Sequence, residues 1–220
     1  MHDATVLYYT ANTEQEAFER KIRDVLMGRL NDEFPIVSVS HKPIDLGMNI
    51  CVGVHEAYYG NEYRQILIGA KAAKTTWLIA AEADCLYPPA YFTFNPNGGN
   101  LWRYNNVWIL WKDAKRYGSE FRRKGNSEGA QIARREWLIE KLERAMAGEP
   151  EWYEGSLQKW GVKIYGRREW GLYGSEAEPV ISMKTGDGVR PKTRLQGRVE
   201  PTIELPLWGS AERLRKELFE

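Results

Sequence analysis

The segment Thr76-Trp77-Leu78-Ile79-Ala80-Ala81-Glu82-Ala83-Asp84-Cys85-Leu86-Tyr87-Pro88-Pro89 opens with six apolar or strand-forming residues and closes on a Pro-Pro break. An apolar run of that length reads as a buried strand. It leads straight into Glu82-Ala83-Asp84. Side chains at i and i+2 of an extended chain share a face, so both carboxylates point the same way. Two like charges at close range repel unless a cation lies between them. Mg²⁺ or Mn²⁺, hard ions that prefer oxygen ligands and often bridge to phosphate, would serve. The plainer alternative is two solvated acids at a strand end.

Upstream, the pattern alternates. Ala4-Thr5-Val6-Leu7-Tyr8-Tyr9 reads as a strand, and Thr10-Ala11-Asn12 as the turn after it. Thr13 with Glu16 forms a capping box. Phe18, Ile22, Val25, Leu26 and Leu30 recur at helical spacing. Ile36–Ser40 is a second strand, residues 41–49 a loop, and Tyr63, Ile66, Leu67, Ala70 and Ala73 mark a second helix. Strand-helix-strand-helix-strand predicts an α/β fold with a mainly parallel sheet flanked by helices. Ligands of such sheets bind beyond the carboxyl ends of the strands. No GxGxxG follows the first strand and no GxxxxGK[ST] occurs, which excludes the usual dinucleotide and P-loop devices.

Composition narrows the class. Lys and Arg number 31 against 30 Asp and Glu, so net charge makes no general case for a nucleic-acid or membrane partner. No apolar run approaches the length that spans a bilayer, and the N-terminus does not read as a signal peptide. Two cysteines and three histidines without a CxxC pair argue against a disulfide framework and a structural zinc site. The expectation is a soluble protein of the cytoplasm, a host cytoplasm if the chain is phage-encoded. Nine Trp and twelve Tyr are unusual for 220 residues; they suit stacking on sugars or bases, and equally a core.

Several segments together carry a resemblance. They are the strand ending Tyr9-Thr10; Lys42-Pro43-Ile44-Asp45-Leu46-Gly47 with Asn49; Tyr63–Ala70; Ala81–Pro89; Tyr104-Asn105-Asn106-Val107-Trp108; Ser127-Glu128-Gly129-Ala130-Gln131; and Lys184-Thr185-Gly186. The chain resembles the GT-A glycosyltransferases, in particular small single-domain members found in phage genomes. The resemblance covers residues 4–210 and is most specific in the first half. It implies a GT-A (Rossmann-like) domain over 1–210, with a nucleotide-sugar half at 1–95, an acceptor-side half at 96–210 forming a mixed C-terminal extension, and a terminal helix at 211–220. In that family the acid-x-acid element holds a divalent metal, Mn²⁺ or Mg²⁺, against the donor diphosphate. Asp84 would do so here, with Glu82 as a longer first arm, and Asp187 would stand where a further ligand is commonly His. The donor, a UDP-sugar by this resemblance, would meet Thr10, Asn12, Asp45, Asn49, Arg64, Lys71, Glu82 and Lys184. For Lys71 a solvated helix face is the plainer reading, and Asp45 could merely cap a turn.

In the second half, residues 102–111 read as aromatic strand structure near the cleft. Tyr104, Asn105, Asn106 and Trp108 are candidate acceptor contacts, with Trp108 and Trp111 equally readable as core. Residues 112–124 carry six bases against two acids and read as a flexible loop. Ala130, Ala133, Trp137, Leu138, Leu142 and Ala145 define a long amphipathic helix opened by Glu128. An acid at a helix N-terminus is favoured by the dipole; Glu128 is also the candidate catalytic base for a hydroxyl acceptor. Pro179–Met183 is a strand, 184–198 a second basic tract, and 212–219 a short helix.

The leading expectation is a metal-dependent glycosyltransferase acting on a hydroxyl, with a 5-hydroxymethylpyrimidine in phage DNA as one acceptor. The basic tracts would contact phosphates and aromatics would stack on an extruded base. The alternatives are a non-catalytic nucleic-acid-binding module and a metal-dependent nucleotidyltransferase.

Overall fold

A strand buried on both faces needs covering layers on both sides, and the first strand shows this: all seven of its residues are buried. A computed structural model of the chain describes residues 3–30, 33–154, 169–186 and 199–220. In chain order the elements are β1 (Ala4–Thr10), α1 (Glu16–Leu30), β2 (Ile36–Ser40), β3 (Met48–Cys51), α2 (Tyr59–Ala72), β4 (Trp77–Glu82), β5 (Cys85–Leu86) and α3 (Pro89–Thr93). Then follow β6 (Leu101–Tyr104), β7 (Val107–Trp111), α4 (Ala114–Tyr117), β8 (Arg122–Gly125), β9 (Gln131–Arg134) and α5 (Arg135–Ala145). The last are β10 (Gly171–Tyr173), β11 (Val180–Lys184), β12 (Glu204–Leu205), β13 (Gly209–Ser210) and α6 (Ala211–Phe219).

The main sheet has the order β10-β6-β9-β4-β1-β2-β3. Strands β3, β2, β1 and β4 run parallel, and β9 runs against both β4 and β6. Alternate residues of β1 feed separate cores. Val6 and Tyr8 pack with Leu26 and Leu30 of α1, whereas Leu7 and Tyr9 pack with Ile66 of α2 and Leu138 of α5. Close helix packing here needs Gly69, because a Cβ at that position would lie 2.2 Å from a Leu7 methyl. A second sheet, β5-β11-β7-β8, packs its Leu86, Leu110 and Ile181 against α1 and α6. The α/β expectation with a mainly parallel sheet holds.

Three local expectations change. Residues 102–111 are two strands in different sheets, β6 and β7, separated at Asn105-Asn106. The segment 112–124 contains α4 and β8 instead of an open loop. The long helix from Ala130 begins only at Arg135, because Gln131–Arg134 pairs as β9 between β4 and β6. Glu128 is therefore not at a helix N-terminus.

Candidate active site

The register brings the carboxyl ends of the parallel strands level. Tyr9 pairs with Glu82, Thr10 with Ser40, and Ser40 with Cys51. Glu82 ends β4, and Ala83-Asp84 form a two-residue turn into β5. The two acids converge through that turn, not through extended alternation. Because β9 is antiparallel to β4, the residues just before it lie beyond this same edge. That places Gly129 beside Glu82, with Glu128 the next residue back along the chain. Because β5 pairs antiparallel with β11, Cys85 opposite Ser182, Lys184 at the end of β11 reaches Asp84.

The contacts are specific. Tyr9 Oη donates to Glu82 Oε1 at 3.1 Å. The Cys85 thiol lies 3.3 Å from Asp84 Oδ1 and 3.7 Å from Glu82 Oε2. Lys184 Nζ is 3.0 Å from Asp84 Oδ2. The Met183 amide donates to the Asp84 carbonyl, which fixes the turn against β11. Lys124 Nζ donates to Ser127 Oγ at 2.6 Å, and its charge acts on Glu82. Tyr87 Oη accepts from the Glu82 amide at 2.9 Å and donates to the Gly129 carbonyl at 2.6 Å. Glu128 accepts from Tyr63 Oη at 2.6 Å and from Arg103 at 3.2 Å. The Arg103 guanidinium lies 4.1 Å over the Trp170 ring. The Glu128 side chain is 44% exposed, so a ligand can still reach it.

Electrostatics follow from burial. Burial, then the neighbouring Asp84 charge, pushes the Glu82 carboxyl above the usual range, while Lys184, Lys124 and the Tyr9 bond pull it back. Burial, then the Asp84 and Glu82 charges, drives the Cys85 thiol well up, so the sulfur keeps its proton. Burial is the largest single influence and disfavours a charged Lys184, but the Asp84 charge and hydrogen bond together with the other negative groups of the cluster outweigh it and hold the ammonium above the ordinary lysine range. Burial, then the Lys184 charge, lowers Lys124.

Glu82, Asp84 and Cys85 offer ligand atoms within 4.8 Å of one another, so this group could bind a metal ion. The donor chemistry fits a hard dication: two carboxylates supply oxygen, with the Cys85 sulfur beside them.

The other sequence candidates fall elsewhere. Thr10 Oγ1 and Asn12 Nδ2 donate to the buried Glu19, at 3.0 and 3.2 Å. Asn12, at φ 51°, also accepts from the Lys42 amide, so it ties two edge loops together. Asn49 bonds Ser38, Ser40 and the Ile44 amide, and Asp45 is exposed on the loop that Asn49 braces. Arg64 donates to the Pro150 carbonyl at 2.7 Å. Lys71 pairs with Glu143 of α5 at 2.6 Å, eight residues and about 12 Å of helix rise beyond Tyr63. Tyr104 and Trp108 are buried: Tyr104 Oη donates to the Glu178 carbonyl, and Trp108 Nε1 to Asn106. Asn106 also bonds the 175–176 backbone, and the Asn105 amide bonds Tyr173. Asp187, like most of the second basic tract, lies outside the described residues. The sequence reading missed Tyr9, Tyr63, Cys85, Tyr87, Arg103, Lys124 and Gly129. For Gly129 the available signal is the Ser127-Glu128-Gly129 segment entering a strand that pairs with β4.

No protein-family model and no curated protein matches the sequence. Among solved structures, that of Staphylococcus aureus TarS 1–349 superposes at TM-score 0.50 with 14% identity, covering 83% of this chain and 60% of that one. This chain thus spans under two thirds of that protein's length. The inositol-1-phosphate CTP transferase from T. maritima superposes at 0.49 with 12% identity over 85% of this chain and 91% of that one. A glycosyltransferase involved in glycosylation of the major capsid of PBCV-1 superposes at 0.43 with 13% identity, over 78% and 82%. At such identities the likeness is one of architecture alone, and the TarS superposition gives the chain a GT-A-like α/β fold.

Proposed function

We propose that the chain transfers a sugar from a nucleotide-sugar donor, of the UDP-glucose type, to a hydroxyl acceptor. The observation that carries this is the convergence of Glu82 and Asp84 with Lys184 and Lys124 at the carboxyl edge of the sheet, where the segment bearing Glu128 and Gly129 also arrives. An anomeric transfer breaks the bond from C1 to the diphosphate oxygen. The electron pair leaves on the diphosphate, so positive charge must face that oxygen. Lys184 and Lys124 supply two cationic heads there. Asp84 and Glu82 would hold Mn²⁺ or Mg²⁺, which when bound adds positive charge opposite the departing phosphates. The nucleoside lies over the ends of β1–β3, on loops that Thr10, Asn12 and Asn49 brace. Asp45 is the exposed acid there, while Lys71 pairs with α5 and Arg64 holds the segment after it.

The attacking hydroxyl loses its proton to Glu128. Its carboxylate is aimed by Tyr63 and Arg103 and remains open to an acceptor. A hydroxymethylated pyrimidine in DNA is the acceptor version that the exposed Lys115 and Arg116 support. It does without stacking by Tyr104 and Trp108, both of which are buried. A salt-insensitive or absent gel shift with such a duplex removes it.

Mass spectrometry of UDP-sugars with candidate acceptors tests the reaction, and calorimetry with UDP and Mn²⁺ tests the site. Nucleoside diphosphate is the expected product; pyrophosphate would mean nucleotidyl transfer. Asp84→Ala should abolish the Mn²⁺-dependent part of UDP binding. Glu128→Gln should keep donor binding and lower kcat by about 10²–10⁴-fold. Unchanged binding by Asp84→Ala would sink the proposal.

A further inference from the structure

The acid corner already holds its own cations. Lys184 Nζ sits 3.0 Å from Asp84 Oδ2, and only 13% of its side chain is exposed. Lys124 acts on Glu82 and is held by Ser127. Two acids and two lysines make a cluster of zero formal charge. The lysines come from β11 and β8 of the second sheet, while Glu82 ends a strand of the first. Lys184 is also fixed through its backbone, because the Lys112 amide donates to its carbonyl at 2.9 Å.

A dication entering this corner alone would have to take an Asp84 oxygen from Lys184 and would leave a surplus of two positive charges. A nucleoside diphosphate entering alone would face two carboxylates with both lysines already engaged. A dication with a nucleotide-sugar, whose diphosphate diester carries two negative charges, restores neutrality, UDP with its further terminal charge comes within one charge of it, and the displaced ammonium gains phosphate oxygens in exchange for Asp84. We infer that Lys184 is a resident counter-ion that makes dication and diphosphate bind as a pair: it occupies Asp84 while the site is empty and turns to the diphosphate when the metal arrives. This rests on the donor-site reading above and adds that Lys184, through its hold on Asp84, sets the strength of the coupling between dication and diphosphate.

The test is titration of Mn²⁺, followed by the spectroscopic signal of the free ion, with protein alone, with UDP and with uridine, after subtraction of a protein-free Mn²⁺–UDP titration. Wild type should bind Mn²⁺ at least about tenfold more tightly with UDP than without it, and uridine should give no gain. Lys184→Met should bind Mn²⁺ alone about tenfold more tightly than wild type and lose most of the gain from UDP. Lys184→Arg, which keeps the charge, should retain the gain. The wild-type comparison of UDP with uridine stands even if Lys184→Met does not fold. A Lys184→Met protein that folds and keeps unaltered coupling overturns the inference while leaving a donor site in place, whereas equal Mn²⁺ affinity with and without UDP overturns both the inference and the metal–diphosphate site. Absence of any Mn²⁺ or UDP binding, singly or together, overturns the donor site and the inference with it.

Discussion

Gly129 is where the site tolerates least change. A Cβ there would lie 2.3 Å from the Glu82 carboxyl carbon, so even alanine must push that carboxylate aside. Gly129→Ala should therefore lower Mn²⁺-dependent UDP binding by about tenfold or more while leaving the far-UV spectrum unchanged, as calorimetry would show. His41 carries a different consequence. Its ring is buried against His55 and Trp152, and burial, then the His55 charge, lowers its pKa from 6.5 to about 4. The unfolded chain takes up a proton as pH falls through 6.5, whereas the folded chain resists until about 4. Stability contributed by the neutral ring is thus full above that window and drains away within it. Between pH 7 and 5 the loss should be on the order of 2 kcal/mol. Urea midpoints for wild type and His41→Gln should show a smaller pH slope in the variant. At this scale the sequence was partly legible. Glu82 and Asp84 stood out because a strand and a Pro-Pro break framed them. Lys124 did not, because nothing in its neighbours indicates that β8 carries it back to the acids.

Tyr87 clips two elements together at one hydroxyl: it bonds the end of β4 through the Glu82 amide and the entry to β9 through the Gly129 carbonyl. Tyr87→Phe leaves a buried N–H and a buried carbonyl without that partner, and should cost about 1–3 kcal/mol by urea denaturation. It should also loosen Glu82 and weaken donor binding. The strand β9 explains why element-level reading failed locally. Ala130, Ala133 and Trp137 keep a helical spacing, but Ile132 is also a strand former, and its slot between β4 and β6 buries it from both sides. Pairing partners about 30 and over 50 residues away decide such a segment, and no local periodicity contains them. The strands β1, β2, β4 and β11 and the helices α1, α2 and α6 were legible because each has a clean apolar pattern of its own. β3 was not: Met48–Cys51 is short, half-exposed and at the sheet edge.

On the scale of the whole molecule, the two halves expected from the sequence interleave. Strands β6, β9 and β10 from the second half complete the first-half sheet, and β5 from the first half pairs with β11. No helix among the described residues is long and apolar enough to cross a membrane. The helix α6 closes the second core, with Phe219 stacked on Phe18 of α1 at 4.8 Å and Lys21 bonded to the Glu217 carbonyl. The overall architecture was readable from the alternation of strands and helices, but the division into two sheets was not, because the switch at Asn105-Asn106 looks locally like continuous strand. The short turn at Ala83-Asp84 therefore works as a seam between layers. Whatever grips Glu82 on one side and the lysines on the other fastens one slab of the protein to its neighbour. Hydrogen-exchange mass spectrometry with UDP and Mn²⁺ should accordingly show β4, β8 and β11 slowing in step, with the remote end of α2 unmoved. Slowing confined to a single layer would mean that the occupant never spans the joint.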